Sequence, residues 1–217
     1  MIDANKLLDQ LVKSGMAGGL AGGLLSGAVA GAITGKGKGL GKTALKVGGT
    51  AMVAGLAYKA WQQYQAGQRG PGTIPGTLDS LFGHVAAAPG NAPVPAVPER
   101  DAVAILRAMI AAAKADGQID VAEQQRVFAE VGRLSLSVEE KAFVLEELSR
   151  PLDLEAIVAS AGTRELALEI YTASRLVIAE ASPAEGAYLQ LLAARLGLQP
   201  GLVAEVDKAA QAPAAGG

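Results

Sequence analysis

The chain has no cysteine and only one histidine, His84. The first absence excludes a disulfide framework, thiol catalysis and cysteine-ligated zinc, and it leaves the redox compartment open. The second removes a His-based triad and the HExxH zinc motif. Aromatic residues are also scarce, at 4% of 217 residues, although half the chain is hydrophobic. The apolar mass is therefore mostly Ala, Leu and Val, which suits helix–helix contact better than a β-sandwich core. Charge is absent from residues 14–35, the stretch between Lys13 and Lys36.

What charge there is divides unevenly. Residues 1–70 carry eight Lys/Arg against two Asp, a net of +6. Residues 99–217 carry 11 Lys/Arg against 18 Asp/Glu, a net of −7. A basic, Gly-rich part and an acidic, Ala/Leu-rich part read as two pieces in two environments. Between them, residues 66–99 hold six of the ten prolines and six glycines, so no long helix or strand persists there and a flexible linker is expected. His84 lies in this linker, where no second histidine could share a metal.

From about residue 100 to 211 the pattern is helical. Val103, Ile105, Leu106, Met109, Ile110 and Ala113 recur near a 3.6 period. Asp120 with Glu123, Ser137 with Glu140 and Ser182 with Glu185 have capping-box spacing, Pro183 takes a first helical position, and Thr163 is a further N-cap. Pro151 and Pro200 mark breaks. The expectation is an all-α domain of six or seven helices, with residues 212–217 a disordered tail. A shift of 62 residues lays DVAEQQRVFAEVGRLSLS over SPAEGAYLQLLAARLGLQ. This implies two pseudo-repeated helix–acidic turn–helix units.

The first acidic turn reads AKADGQIDVAE. Asp116, Gly117, Ile119, Asp120 and Glu123 match the second half of an EF-hand loop. The first half is missing, because Ala112 and Lys114 stand where carboxylates belong. A purely structural turn accounts for the same residues: Gly117 permits the bend, Ile119 packs inward, and Asp120 with Glu123 caps the next helix. The other reading is a divalent-metal site shared between turns, with Asp116, Asp120, Glu123, Glu180 and Glu185 as ligands.

ADGQIDVAE, an apolar helix and AEASPAEGAYLQLLAARLGL together resemble the TerB-like domain of tellurite-resistance proteins, over about residues 100–211. The three-part order of Gly-rich apolar N-terminus, Pro-rich linker and helical domain resembles the YebE-like inner-membrane proteins (domain of unknown function 533). The resemblance implies an all-α bundle, a link to membrane-associated stress or tellurite resistance, and metal binding through turn carboxylates. The chain departs from the TerB pattern in its second turn, where EASPAE replaces a DG-containing turn.

Residues 14–35 contain eight glycines, and Gly15, Gly19, Gly23, Gly27, Gly31 and Gly35 fall every fourth position. In water each would disfavour a helix by roughly 1 kcal/mol relative to Ala. In lipid an unpaired amide costs several kcal/mol, so helix becomes the local solution. The spacing then forms a small-residue face for close packing, including self-association. Twenty-two residues suffice to cross a hydrocarbon core of about 30 Å. Residues 47–58 are too short to cross and suit a re-entrant or interfacial helix, with Tyr58, Trp61 and Tyr64 as an interface anchor. Lys36, Lys38, Lys42 and Lys46 should stay cytoplasmic. A single span would then leave the acidic domain cytoplasmic and the N-terminus outside.

No catalytic constellation emerges. Gly41-Lys42-Thr43 ends like a P-loop, but Lys36 occupies the first-glycine position and no strand precedes it. Nucleic acid is not expected as a partner, because no aromatic residues lie between the lysines. The expected protein is non-enzymatic and anchored in a bacterial inner membrane through residues 1–65. Its domain at 100–211 would bind metal ions or an unidentified protein partner. The alternative is a soluble or peripheral adaptor whose basic Gly-rich arm binds an acidic partner, its acidic turns being purely structural. A calcium sensor is a third class, resting on the half EF-hand.

Overall fold

The computed structural model describes residues 2–13, 49–68, 97–117, 132, 136–178 and 181–211. These form α1 (Ala4–Lys13), α2 (Gly49–Gln68), α3 (Glu99–Ala113), α4 (Val138–Ser149), α5 (Leu154–Ser160), α6 (Arg164–Val177), α7 (Pro183–Arg195) and α8 (Pro200–Gln211). Among the described residues there are helices and no strands. The all-α expectation holds, and the part from Glu99 onward supplies six helices. The glycine run and most of the linker lie outside the described residues, although α2 continues to Gln68 within the stretch read as linker.

Local signals place most helix starts. Ser137 Oγ accepts the Glu140 N–H at 3.2 Å while Glu140 Oε2 accepts the Ser137 N–H at 2.7 Å. The same reciprocal pair joins Ser182 and Glu185, at 2.8 and 3.2 Å, with Pro183 in the first helical position. Each box satisfies two N–H groups that a helix start leaves orphaned. Thr163 caps α6 by accepting the Leu166 N–H at 3.1 Å. Asp153, not anticipated as a cap, accepts the Ala156 N–H at 2.9 Å and starts α5. At the other end of α7, Gly197 adopts φ +67°. Its N–H donates to the Ala194 carbonyl and the Leu198 N–H to the Ala193 carbonyl, the paired bonds of a Schellman stop.

α3 lies at the centre. Ten of its fifteen residues are buried, from Ala102 through Ala113. It packs against α6 most extensively, and also against α1, α4 and α5. α2 packs against α8, α1 and α6. Leu7, Leu8, Val53, Ala57 and Ala60 are fully buried in the same hydrophobic cluster as Ile105, Leu106 and Ile170. Two helices from the first 65 residues are thus integral to the bundle core. The aromatic residues read as an interface anchor serve this packing instead. Trp61 is 6% exposed in the core with Tyr58 tilted against it at 6.0 Å, and Tyr64 reaches across to Gln199 and the backbone at Gly201.

The contacts also fix helix directions. The Ala4 N–H donates to Glu99 Oε1 at 3.0 Å and Asn5 Nδ2 to the Val97 carbonyl at 2.9 Å, so α1 starts where α3 starts and runs along it. Asp101 acts on Glu165 and Glu169, while Ala108 meets Ser174, so α3 and α6 run the same way. Lys6 pairs with Glu140 at the start of α4, and Arg107 and Lys114 meet the end of α4. Asp207 near the end of α8 meets Tyr171 and Arg175 of α6. Only four residues of α2 lie beyond Tyr64, which faces the start of α8, so their extensive packing requires α2 to run back along α8. One end of the bundle therefore gathers the last turns of α1, α3, α4, α6 and α8 and the first turn of α2. We call it the exit end.

This geometry corrects the single-span topology. Residues 14–48 leave α1 and re-enter at α2 at the same end of one bundle. A complete crossing by 14–35 would need a return crossing by 36–48. That piece has 13 residues and four lysines, whereas a span takes about 17–25 apolar residues. Among the described residues, no helix is long and apolar enough to cross a membrane. If α2 is core, Trp61→Ala should lower stability by about 3–5 kcal/mol. The check is the midpoint of the whole helical transition in urea, followed by circular dichroism; an unchanged midpoint would exclude α2 from the core.

Candidate functional site

The turn after α3 begins at the exit end. The chain tightens through Ala115 and Asp116, and Gly117 takes φ +83°, the left-handed conformation that glycine adopts without strain. The Gly117 N–H closes the turn on the Lys114 carbonyl at 3.0 Å. Lys114, the cation that broke the EF-hand pattern, does not face a ligand site. Its Nζ donates to the carbonyls of Glu147 (2.8 Å), Leu148 (3.5 Å) and Arg150 (2.6 Å) and so caps α4. Those carbonyls have no intrahelical partner and carry the negative end of the helix dipole. Burial lowers the Lys114 pKa, opposed by the nearby Glu147 carboxylate.

Of the five carboxylates proposed as metal ligands, Asp116 and Glu185 are described. Asp120, Glu123 and Glu180 lie outside the described residues, as do His84 and Gly15, Gly19, Gly23, Gly27, Gly31 and Gly35. Asp116 is exposed in the turn. Glu185 is 4% exposed, and its carboxylate is engaged in the α7 capping box. Among the described residues, no group of three or more His, Asp or Glu side chains is placed to hold a metal. What the structure does bring together is the helices that precede the two turns. α3 and α6 lie side by side in the same direction, so both turns start at the exit end.

Beside these turns lies a buried polar network that the sequence did not disclose. Arg175 is 6% exposed. Its Nε donates to Asp207 Oδ1 at 3.1 Å and its Nη1 to the Ile178 carbonyl, which caps the end of α6. The Tyr171 hydroxyl also donates to Asp207 Oδ1, at 3.2 Å. Burial first, then the Asp207 charge, raises the Tyr171 pKa and keeps the phenol protonated. Tyr188 is buried nearby with no partner for its hydroxyl, and burial pushes its pKa up to about 12. The Ser174 hydroxyl beside it faces the Ala108 carbonyl instead. A lone arginine inside the apolar run IYTASRLVI was a readable sign of a buried ion pair; its partner, 32 residues on, was not.

The opposite end is acidic. Glu99, Asp101, Glu139, Glu140, Glu165 and Glu169 occupy the early turns of α3, α4 and α6. Carboxylates are favourable there because helix starts carry partial positive charge. Glu169 is the exception. Desolvation, then the Asp101 and Glu165 charges, raises its pKa to about 7.

Fold and site together define an all-α bundle that sends out a glycine- and lysine-rich excursion and two acidic turns from one end. The chain matches the model of the family described as "Protein of unknown function (DUF533)" over residues 16–210, and it belongs to that family. The match runs through the glycine run, the Pro-rich stretch and the bundle, so all three belong to one family unit. No curated protein and no solved structure matches the chain.

Glu169 gives a pH prediction. Its folded pKa is raised, so the folded state holds its proton more tightly than the unfolded chain between about pH 4.5 and 7. That contribution to stability is full below pH 4.5 and is lost as pH rises through 7. Glu169→Gln should therefore match the parent at pH 4 and exceed it by roughly 2–3 kcal/mol at pH 8. Urea titrations at the two pH values provide the check.

Proposed function

We propose that this protein is a non-enzymatic helical-bundle protein of a bacterial inner membrane, held at the membrane surface by residues 14–48, which enter and leave from the side on which the bundle lies. The observation that carries this reading is the antiparallel packing of α1 and α2, which returns the excursion to the end it left. Its uncharged, glycine-spaced first part suits shallow insertion, and Lys36, Lys38, Lys42 and Lys46 suit contact with anionic headgroups. Lysines on the bundle's own side favour a cytoplasmic bundle. The resemblance to YebE-like and TerB-like proteins supports a role in stress or tellurite resistance, with the bundle binding a protein partner or a divalent metal at the turns of the exit end.

The chain has no native cysteine, so single-cysteine variants report topology cleanly. A cysteine placed ahead of Met1 and Gln211→Cys should both react with an impermeant maleimide in inverted membrane vesicles, and neither in intact spheroplasts. Labelling of the two positions from opposite sides would overturn the same-side reading. Replacing the four lysines with Gln should weaken membrane retention by on the order of 1 kcal/mol per lysine.

A further inference from the structure

We infer that the bundle meets an anionic lipid surface end-on, with the exit end toward the lipid and the acidic end held away. This rests on the membrane reading above and adds an orientation to it. The first ground is the tether. The excursion starts and finishes at the exit end, and Lys46 stands three residues before the start of α2. The lysines are thereby tied to that end and not to the sides of the bundle.

The second ground is the charge along the bundle axis. At the exit end the described charges are paired: Arg150 with Glu146 and Glu147, Arg175 with Asp207, and Lys208 with Glu205. Lys114 is held by the α4 carbonyls. At the other end Glu139, Glu165, Glu169 and Asp101 outnumber Arg100 and Arg164. An anionic surface repels that end.

The third ground is distance. The fifteen residues of α3 span about 22 Å at 1.5 Å per residue. The Debye length at physiological salt is about 8 Å. With the exit end down, the carboxylates sit more than two Debye lengths from the lipid and barely feel it. With the bundle inverted, they lie inside the repulsive field and the tether must stretch the length of the bundle. The surface potential therefore selects one orientation.

The test uses the full-length chain with an environment-sensitive fluorophore at Gln211→Cys, at the exit end, or Gln63→Cys, near the end of α2. Both positions are exposed, so labelling leaves the core intact. Vesicles of phosphatidylglycerol and phosphatidylcholine carry a headgroup quencher, and binding is read separately by sedimentation. The label at 211 should lose most of its fluorescence on binding while the label at 63 keeps its own. Equal quenching at both positions, or stronger quenching at 63, in protein that still sediments would overturn the orientation and leave the membrane reading standing. Failure of the unlabelled protein to sediment with these vesicles would overturn both.

Discussion

A helix with ten of its fifteen residues buried must be covered on almost every side, and α3 imposes that requirement on the rest of the chain. α6, α4 and α5 cover part of it. The remainder falls to α1, from the other end of the sequence, and α2 packs against both α1 and α6. The small residues of α2, Ala54, Ala57 and Ala60, let neighbours approach closely, and Trp61 fills the volume they leave. Burial of Leu7, Leu8 and Leu11 offsets the cost of ordering a ten-residue helix that would be marginal in isolation.

The functional geometry follows from that packing. Because α1 and α2 run in opposite directions on one core, the glycine- and lysine-rich excursion is a loop with both ends at the same place. The acidic turns start from that place too, because α3 and α6 run parallel. The exit end is held together by cations on helix carbonyls, Lys114 on α4 and Arg175 on the end of α6. The positions that looked like ligand sites are in part the means by which helix termini are satisfied. Glu185 is the plainest case, with its carboxylate turned back onto the Ser182 amide.

Legibility in the sequence tracked the range of each interaction. The caps at Ser137, Thr163 and Ser182 were readable because a cap is decided within four residues. The turn at Gly117 was readable for the same reason. The role of α2 was not. Val53, Ala57, Ala60 and Trp61 form an apolar stripe, and a stripe reports that a face is buried but not whether lipid or protein buries it. The opposite charges of the two halves suggested separate environments. In the fold they meet, as Lys6 does with Glu140. Asp207 as the partner of Arg175 and Tyr171 depended on the relative placement of α6 and α8, which periodicity does not encode.

The central claim is that α1 and α2 belong to the same cooperative core as α3 and α6. Native-state amide hydrogen exchange on the full-length chain, resolved by peptide mass spectrometry, tests it most directly. Buried amides around Leu7–Leu11 and Val53–Trp61 should exchange with the slow, denaturant-sensitive opening of α3, because one unfolding event exposes them all. Exchange of α1 and α2 orders of magnitude faster, while α3 and α6 stay protected, would show that the first helices stand apart from the bundle and would contradict the account.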